Sequence, residues 1–261
     1  MKNKNETKKN FNLAKIFIVF LVFLLIASIS IKIFFVYANS RFDGVNRFTV
    51  KILAPTKAYL LTVSPTTESA MILEIDISRK DDFPLVGIDR TMKCICDLTK
   101  ENLTYELGKM FLENGLKSSE LTIFDISRLF LFSRSISAPD ILEKKITQKT
   151  EALIKKEIES SGFIDSAIAR EGLSIEVLNA SEISGIGNKY ANIISNAGGS
   201  VVMVQNAERN QKDSTIYYYE KEGYTVKKLA KLFNFKIKKM NNKNLADIKV
   251  ILGKDILNNL K

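Results

Sequence analysis

The sequence predicts an α/β (α+β) protein with a single N-terminal transmembrane helix, a mixed α/β middle domain and a small two-layer α/β C-terminal domain. Three observations predict this class. Residues 16–38 are almost uninterruptedly apolar, β-rich runs and amphipathic segments share residues 43–136, and residues 173–255 follow the order β-α-β-β-α-β-β. A chain of 261 residues is long enough for two small domains beside the membrane segment.

Composition narrows the chemistry that the chain can use. There is no histidine in the sequence, which excludes Ser-His-Asp and Cys-His catalytic sites and His-containing zinc centres. Cys94 and Cys96 are too close for an ordinary disulfide within one extended strand and too few for a metal cage, so we expect two small buried hydrophobic side chains. Any chemistry must therefore use carboxylates, Arg, Lys, Tyr or hydroxyl groups.

The net charge of +10 is unevenly distributed. Residues 1–37 carry +5, residues 38–171 carry −1 and residues 172–261 carry +6. A strong basic excess is typical of nucleic-acid-binding proteins. Here, however, the first excess flanks a membrane segment.

The apolar segment is long enough to cross a bilayer once. Residues 16–31 contain no charged side chain, and after Lys32 the apolar character continues to Ala38. Roughly 20 residues are needed to cross the hydrocarbon core. The upstream lysines predict that residues 1–15 form a cytoplasmic tail and that the chain after Asn39 lies outside the cytoplasm. The expected location is therefore the cell membrane. The alternative is a signal peptide cleaved at Val36-Tyr37-Ala38.

The middle domain, residues 43–136, begins with three alternating β-rich runs. We expect strands at Arg47–Leu53, Tyr59–Val63 and Ala70–Ile77 in an antiparallel meander, and a fourth strand at Thr91–Leu98. The next apolar stripes predict two helices. The first is capped by Thr99 and ends at Gly115, and the second opens with a Thr122/Asp125 capping box and runs to about Phe132.

Residues 137–172 are predicted to be a helix and a linker. Pro139-Asp140 is typical of a helix start, and apolar residues from Ile141 to Ile158 fall roughly on one side of that helix. A Gly- and Ser-containing stretch at residues 160–172 then breaks the pattern, which indicates a domain boundary.

The C-terminal domain shows the clearest pattern of strands and helices. Two helices are expected to cover one face of a small sheet. The predicted strands are Leu173–Leu178, Ser200–Val204, Thr215–Tyr219, Phe235–Met240 and Ile248–Leu252, and the predicted helices are Ile186–Ala197 and Tyr224–Phe233.

Gly185, Ile186 and Gly187 form a glycine-containing turn between a predicted strand and helix. The spacing resembles the start of a dinucleotide-binding fingerprint, but Tyr190 stands where the third glycine belongs and no acidic residue closes the next strand. The turn is a candidate anion-binding site at a helix N-terminus. Alternatively, the glycines only allow a sharp turn.

Two motifs in the C-terminal domain carry a family resemblance. Val177-Leu178-Asn179-Ala180-Ser181 ends the first strand, and Gly185-Ile186-Gly187 follows at the spacing seen in the C-terminal domain of LytR-type cell-envelope proteins. The resemblance covers residues 173–255. The order of anchor, middle domain and LytR-like domain is also similar to that of the LytR-CpsA-Psr proteins.

The middle domain resembles the catalytic domain of those proteins in a divergent form. In active members, Arg and Asp residues hold Mg²⁺ and a polyprenyl pyrophosphate, so that a glycan passes to peptidoglycan. The resemblance implies phosphate binding by Arg47 and Arg79 and metal binding by Asp81. The sequence departs from the pattern because Phe48 follows Arg47 and no proline precedes Arg79.

Two functions therefore compete. The favoured one is a non-catalytic, membrane-anchored extracytoplasmic protein without a cofactor, with a binding or scaffold role in wall assembly or maintenance. Its expected partners are the lipid bilayer and wall polymer, polyprenyl-phosphate lipid or envelope proteins, and not nucleic acid. The alternative is a Mg²⁺-dependent phosphotransferase that moves polyprenyl-pyrophosphate-linked glycans to peptidoglycan.

Overall fold

The computed structural model describes residues 3–76, 87–114, 121–146, 164–242 and 245–256. Within these ranges there are six α-helices and two five-stranded mixed sheets, so the α/β fold class is confirmed. The helices are α1 (Asn3–Ala38), α2 (Leu103–Asn114), α3 (Ile123–Ser135), α4 (Ser166–Glu171), α5 (Ile186–Asn196) and α6 (Tyr224–Phe233). The strands are β1 (Phe48–Leu53), β2 (Lys57–Ser64), β3 (Ser69–Asp76), β4 (Arg90–Lys93), β5 (Ile141–Ile146), β6 (Ser174–Asn179), β7 (Ser200–Asn206), β8 (Thr215–Tyr218), β9 (Lys236–Lys239) and β10 (Ile248–Leu252).

Helix α1 is long and apolar enough to cross a membrane. Its segment Lys15–Ala38 has a mean hydropathy of 2.9 over its most apolar window, and none of that window is buried against the rest of the protein. Twenty-four helical residues span about 36 Å, slightly more than the hydrocarbon core of a bilayer. An exposed apolar helix of this length is costly in water, and insertion into lipid removes that cost.

The first sheet has the strand order β4-β1-β2-β3-β5. Strands β1, β2 and β3 form the predicted antiparallel meander, whereas β4 and β5 are added to its two edges in parallel. One face of the sheet packs against α2 and α3 in a shared apolar core. That core includes Phe48, Val50, Ile52, Tyr59, Leu61, Leu103, Leu107, Met110, Ile126 and Leu129.

One expectation for the middle region is wrong. Residues Ile141–Ile146 form strand β5 and not a helix, because the open edge of β3 supplies a parallel partner for all six residues. The remainder of that expected helix lies outside the described residues. Helix α2 begins at Leu103, and the expected capping by Thr99 is present just before it. The backbone N–H of Asn102 donates to Thr99 Oγ1 at 3.3 Å, and the backbone N–H of Thr99 donates to Asn102 Oδ1 at 2.8 Å.

The cysteines also differ from expectation. Strand β4 ends at Lys93, so Cys94 and Cys96 lie in the turn that follows it, half-buried against the first core. The two side chains are joined in a disulfide, with a Cα–Cα distance of 5.5 Å. The expectation of two separate thiols assumed an extended strand through residue 98, and the turn removes that geometric restriction.

The second sheet has the order β7-β6-β10-β8-β9. Its elements follow the predicted β-α-β-β-α-β-β order, and α6 and β10 have the predicted bounds. Helices α5 and α6 both pack on one face and share a single apolar core with the sheet, which includes Val177, Tyr190, Ile194, Leu229, Phe233 and Val250. The two-layer prediction is therefore confirmed. The short helix α4 was not expected, and it lies beside α6.

Candidate functional site

Directly after α1, the chain is held by hydrogen bonds to the side chain of Asp125. This carboxylate is fully buried, and its Oδ1 accepts the backbone N–H groups of Arg41 and Phe42 at 2.9 and 2.8 Å and the Ser40 hydroxyl at 2.7 Å. Its Oδ2 accepts from the backbone N–H and hydroxyl of Thr122 and completes the predicted capping box of α3. One carboxylate thus caps α3 and fixes the position of the residues that follow α1.

Arg128, one turn after Asp125 on α3, strengthens the same junction. Its guanidinium donates to Ser40 Oγ at 3.0 Å and to the carbonyl of Phe42. The guanidinium also lies over the ring of Tyr37, with Cζ 5.7 Å from the ring centroid, which is a favourable cation–π distance. The ring of Tyr37 also makes an edge-to-face contact with Phe124. Both hydrogen bonds of Arg128 end on neutral oxygen atoms, and one of these, Ser40 Oγ, donates in turn to Asp125.

The C-terminal domain is attached to this region by a buried ion pair. Lys228 of α6 donates from Nζ to Asp89 Oδ1 at 2.8 Å and to the carbonyl of Arg47 at 2.9 Å. The Lys228 and Asp89 side chains are only 10% and 5% exposed. The other oxygen of Asp89 accepts the backbone N–H of Thr49 in β1. The ion pair therefore links α6 to the first sheet.

Arg47 lies behind this ion pair with its guanidinium completely buried. Burial lowers the pKa of Arg47, and attraction to Asp89 and Asp165 opposes that shift. Asp165 is buried as well and accepts a hydrogen bond of 2.8 Å from the hydroxyl of Tyr224. Burial and the neighbouring charge of Asp165 raise the pKa of Tyr224, which keeps the phenol neutral. Residues of both domains thus form one buried polar network.

A cavity of about 430 Å³ opens beside this network, between the end of α1, α3 and α6. Among the residues that the structure describes, its lining carries six basic side chains and one carboxylate, Asp43. Burial alone would raise the pKa of Asp43, but hydrogen bonds from Asn46 and Val45 together with the charge of Lys228 lower it. The basic residues of the lining are Arg41, Arg47, Arg128, Lys227, Lys228 and Lys231.

The residues predicted from the family resemblance have different outcomes. Arg47 lies in the cavity wall at the domain junction. Arg79 and Asp81 lie outside the described residues, so phosphate and metal binding by them stay predictions. Within the ranges that the structure describes, no three Cys, Asp or Glu side chains are grouped closely enough to hold a metal ion.

The glycine turn lies in the other part of the C-terminal domain and does not line the cavity. Its shape is organised by Asn179, which accepts from the N–H and hydroxyl of Ser181 and donates to the carbonyl of Ile183. Gly185 has a φ of 77°, which favours glycine, and Gly187 is buried where a Cβ would come 3.2 Å from Val204. These contacts explain the glycines by the backbone turn and close packing, and anion binding there stays a prediction.

No site role was predicted from the sequence for Asp89 or the lysines of α6, and Asp125 was predicted only as the capping-box partner of Thr122. A signal for the lysines was present, because Tyr224, Lys227, Lys228 and Lys231 recur at spacings of three and four residues, on the side of α6 opposite its buried apolar stripe. The contacts of Asp89, and those of Asp125 with residues 40–42, carried no comparable signal, since these partners lie about 40 to 140 residues away in the chain.

The second sheet and its two helices therefore define a small two-layer α/β domain docked beside the end of an apolar helix. Residues 172–255, which contain this domain, match the LytR_C family, described as LytR cell envelope-related transcriptional attenuator. The resemblance predicted for the C-terminal domain is thus confirmed, whereas that of the middle domain to a catalytic domain stays a prediction. No curated protein and no solved structure matches the chain.

Proposed function

We propose that this is a single-pass cell-envelope protein whose bulk lies outside the cytoplasmic membrane and whose LytR_C domain binds wall polymer or envelope proteins without catalysis. The observation that carries the proposal is the Lys228–Asp89 ion pair, because it holds the LytR_C domain against the domain into which α1 leads. A binding domain fixed in this way acts at a constant distance from the bilayer. This suits a scaffold in wall assembly or maintenance.

The edge strand β9 supports an anionic polymer as the partner. Lys238 and Lys239 are exposed on this strand, and among the described strands β9 has one sheet neighbour, β8. Exposed lysines on an open sheet edge attract a polyanion and also discourage edge-to-edge aggregation. The family description names a transcriptional attenuator, and from outside the membrane any effect on transcription would be indirect.

Membrane topology is the first test. Intact cells that express the full chain with a tag at each end are treated with an external protease. We expect loss of the C-terminal tag and protection of the N-terminal tag, because the lysine-rich tail should stay in the cytoplasm. Protection of the C-terminal tag would contradict the proposed orientation. Release of the protein into the medium without its N-terminal tag would indicate a cleaved signal peptide.

Polymer binding is the second test. The full chain in detergent is sedimented with purified anionic wall polymer, and Lys238→Gln/Lys239→Gln is compared with Lys189→Gln/Lys212→Gln, which removes two other exposed charges from the same domain. We expect the β9 variant to bind several-fold more weakly than the control. Equal binding by both variants would exclude β9 as the contact surface.

A second candidate function is the Mg²⁺-dependent phosphotransferase, because Arg47, which the resemblance implies as a phosphate-binding residue, lies in the cavity wall. The full chain is incubated with a polyprenyl pyrophosphate and Mg²⁺, and phosphate release is measured. We expect no turnover. Metal-dependent release that disappears in Asp81→Asn, in a variant that keeps the native circular dichroism spectrum, would establish the enzyme and overturn the non-catalytic role.

A further inference from the structure

The basic cavity lies where α1 meets the folded part of the protein. We propose that it binds the phosphate headgroup of an anionic glycerophospholipid from the bilayer that holds α1. The proposal rests on the membrane anchoring stated above and adds a specific lipid partner to it.

The position of the cavity follows from the hydrogen bonds between Asp125 and the residues directly after α1. Tyr37 and Ala38 line the cavity and are also the last residues of the helix. Only Asn39 separates the helix from Ser40, whose hydroxyl is bound to Asp125. Since the cavity begins at the last residues of the membrane helix, it lies next to the membrane surface. We therefore place it at the depth of the lipid headgroups. Tyrosine is enriched at this depth because its ring is amphipathic.

The charges around the cavity favour an anion. Asp89 and Asp165 balance Lys228 and Arg47 in the buried network. Among the described residues, Lys227 and Lys231 form no ion pair, and both are exposed one turn apart on α6. With Arg41 and Arg128 they outnumber the two remaining carboxylates of the described residues here, Asp43 in the lining and the buried Asp125 that attracts Arg41.

Crowding of like charges is visible at Arg41. Burial and repulsion from Arg90 lower the pKa of Arg41, against the attraction of Asp89 and Asp125. An anion beside these guanidinium groups would relieve that repulsion. Arginine provides paired N–H donors for phosphate oxygens, and lysine contributes a mobile point charge at the mouth of the cavity.

The shape of the surroundings favours a lipid over free phosphate. The volume of about 430 Å³ accommodates a headgroup, and the apolar surface of α1 continues from Tyr37 toward the hydrocarbon core. The acyl chains of a bound phospholipid would lie along that surface. Free phosphate carries the same kind of charge but has no acyl chains that could contact the apolar surface of α1.

Native mass spectrometry of the full chain in detergent tests the proposal. Retention of phosphatidylglycerol is compared with that of phosphatidylcholine, with and without millimolar inorganic phosphate. The test variant is Lys227→Gln/Lys231→Gln, which removes two exposed charges and leaves Arg47, Asp89 and Lys228 in place. The matched control is Lys189→Gln/Lys212→Gln, since these residues are exposed in the same domain and do not line the cavity.

We expect preferential retention of phosphatidylglycerol by the native chain and the control, roughly tenfold weaker retention by the test variant, and no displacement by phosphate. The proposal is overturned by any of three results: no preference for phosphatidylglycerol, equal weakening in both variants, or displacement by inorganic phosphate. Because the assay is performed in detergent, it reports on the cavity even if α1 proves not to be a permanent anchor.

Discussion

Lys228 and Asp89 lie 139 positions apart in the chain and form an ion pair at the interface between the LytR_C domain and the first sheet, with 2.8 Å between Lys228 Nζ and Asp89 Oδ1. Both side chains are nearly inaccessible to water, so each charge depends on nearby opposite charges for compensation. The shortest such contact of each is with the other. The carbonyl of Arg47 accepts a further hydrogen bond from the same ammonium group. A domain contact that contains a buried charge pair is specific, because a shift of either surface leaves one charge unpaired.

Removal of the ammonium group should therefore be strongly destabilising. Lys228→Met leaves Asp89 buried without its ion-pair partner, with only the longer-range attraction of Arg41 and Arg47, and we expect the free energy of unfolding to fall by about 3 kcal/mol. Urea denaturation of the full chain in detergent measures this change. Lys227→Met, at the exposed neighbouring position, should cost less than about 0.5 kcal/mol. Similar losses in both variants would show that the ion pair contributes no more than an exposed lysine.

Asp125 should be equally sensitive to loss of its charge. Asp125→Asn replaces one acceptor oxygen by an NH₂ group, which faces either the donors from residues 40–42 or those of Thr122. We expect a loss of about 3 kcal/mol by the same denaturation assay. The exposed Asp140→Asn is the control and should have the stability of the native chain. A native-like Asp125→Asn would contradict the assigned role in the helix exit.

Gly253 is required for close packing within the LytR_C domain. A Cβ at this position would lie 2.6 Å from the backbone carbonyl carbon of Asp213 and 2.8 Å from the backbone nitrogen of Ser214. Because backbone atoms cannot yield as a side chain can, we expect Gly253→Ala to cost about 3 kcal/mol. Gly185→Ala meets no atom within 4 Å and should cost only about 1 kcal/mol through its positive φ. A reversed order, measured by urea denaturation, would reject this explanation.

Glu171 provides a pH-dependent contact between α4 and α6. Its carboxylate accepts the backbone N–H groups of Tyr224 at 2.7 Å and Thr225 at 2.8 Å, which supplies the cap that Gly223 lacks a side chain to provide. Burial alone would raise the pKa of Glu171, but the hydrogen bonds from Thr225 and Tyr224 outweigh it and lower the pKa below its ordinary value of 4.5.

The lowered pKa determines the direction of the pH effect. The ionised carboxylate stabilises the fold fully above about pH 4.5, and this contribution is lost as the pH falls through the lower pKa of the folded state. We expect Glu171→Gln to be less stable than the native chain at about pH 7, and the difference to shrink at about pH 3. Glu222→Gln, an exposed neighbour, should show no such trend. A difference that is constant with pH would exclude ionisation of Glu171 as the cause.

The LytR_C domain was predictable from sequence because its signals are local. Apolar periodicity and the flanking glycines and turns predict each strand and helix within a few residues, and Tyr224–Phe233 and Ile248–Leu252 were predicted with their observed bounds. The apolar helix α1 was equally clear, because continuous apolar content needs no knowledge of distant residues.

The middle region was harder because its edge strands depend on partners. Ile141–Ile146 is apolar at both ends and lysine-rich within, a pattern that a helix start also allows. Its parallel pairing with β3, about 70 residues earlier in the chain, makes it a strand. The turn after Lys93 likewise brings Cys94 and Cys96 together, which a strand of eight residues would have prevented.

Local patterns in the sequence thus established an apolar helix, the α/β class and a LytR-type C-terminal domain, because hydrophobic periodicity and turn motifs act over a few residues. The buried contacts of Asp125, Asp89 and Lys228 and the basic cavity beside them arise only on folding. Hydrogen bonds and charge compensation depend on distances between atoms, and the chain brings these groups together from α1, α3, the first sheet and α6.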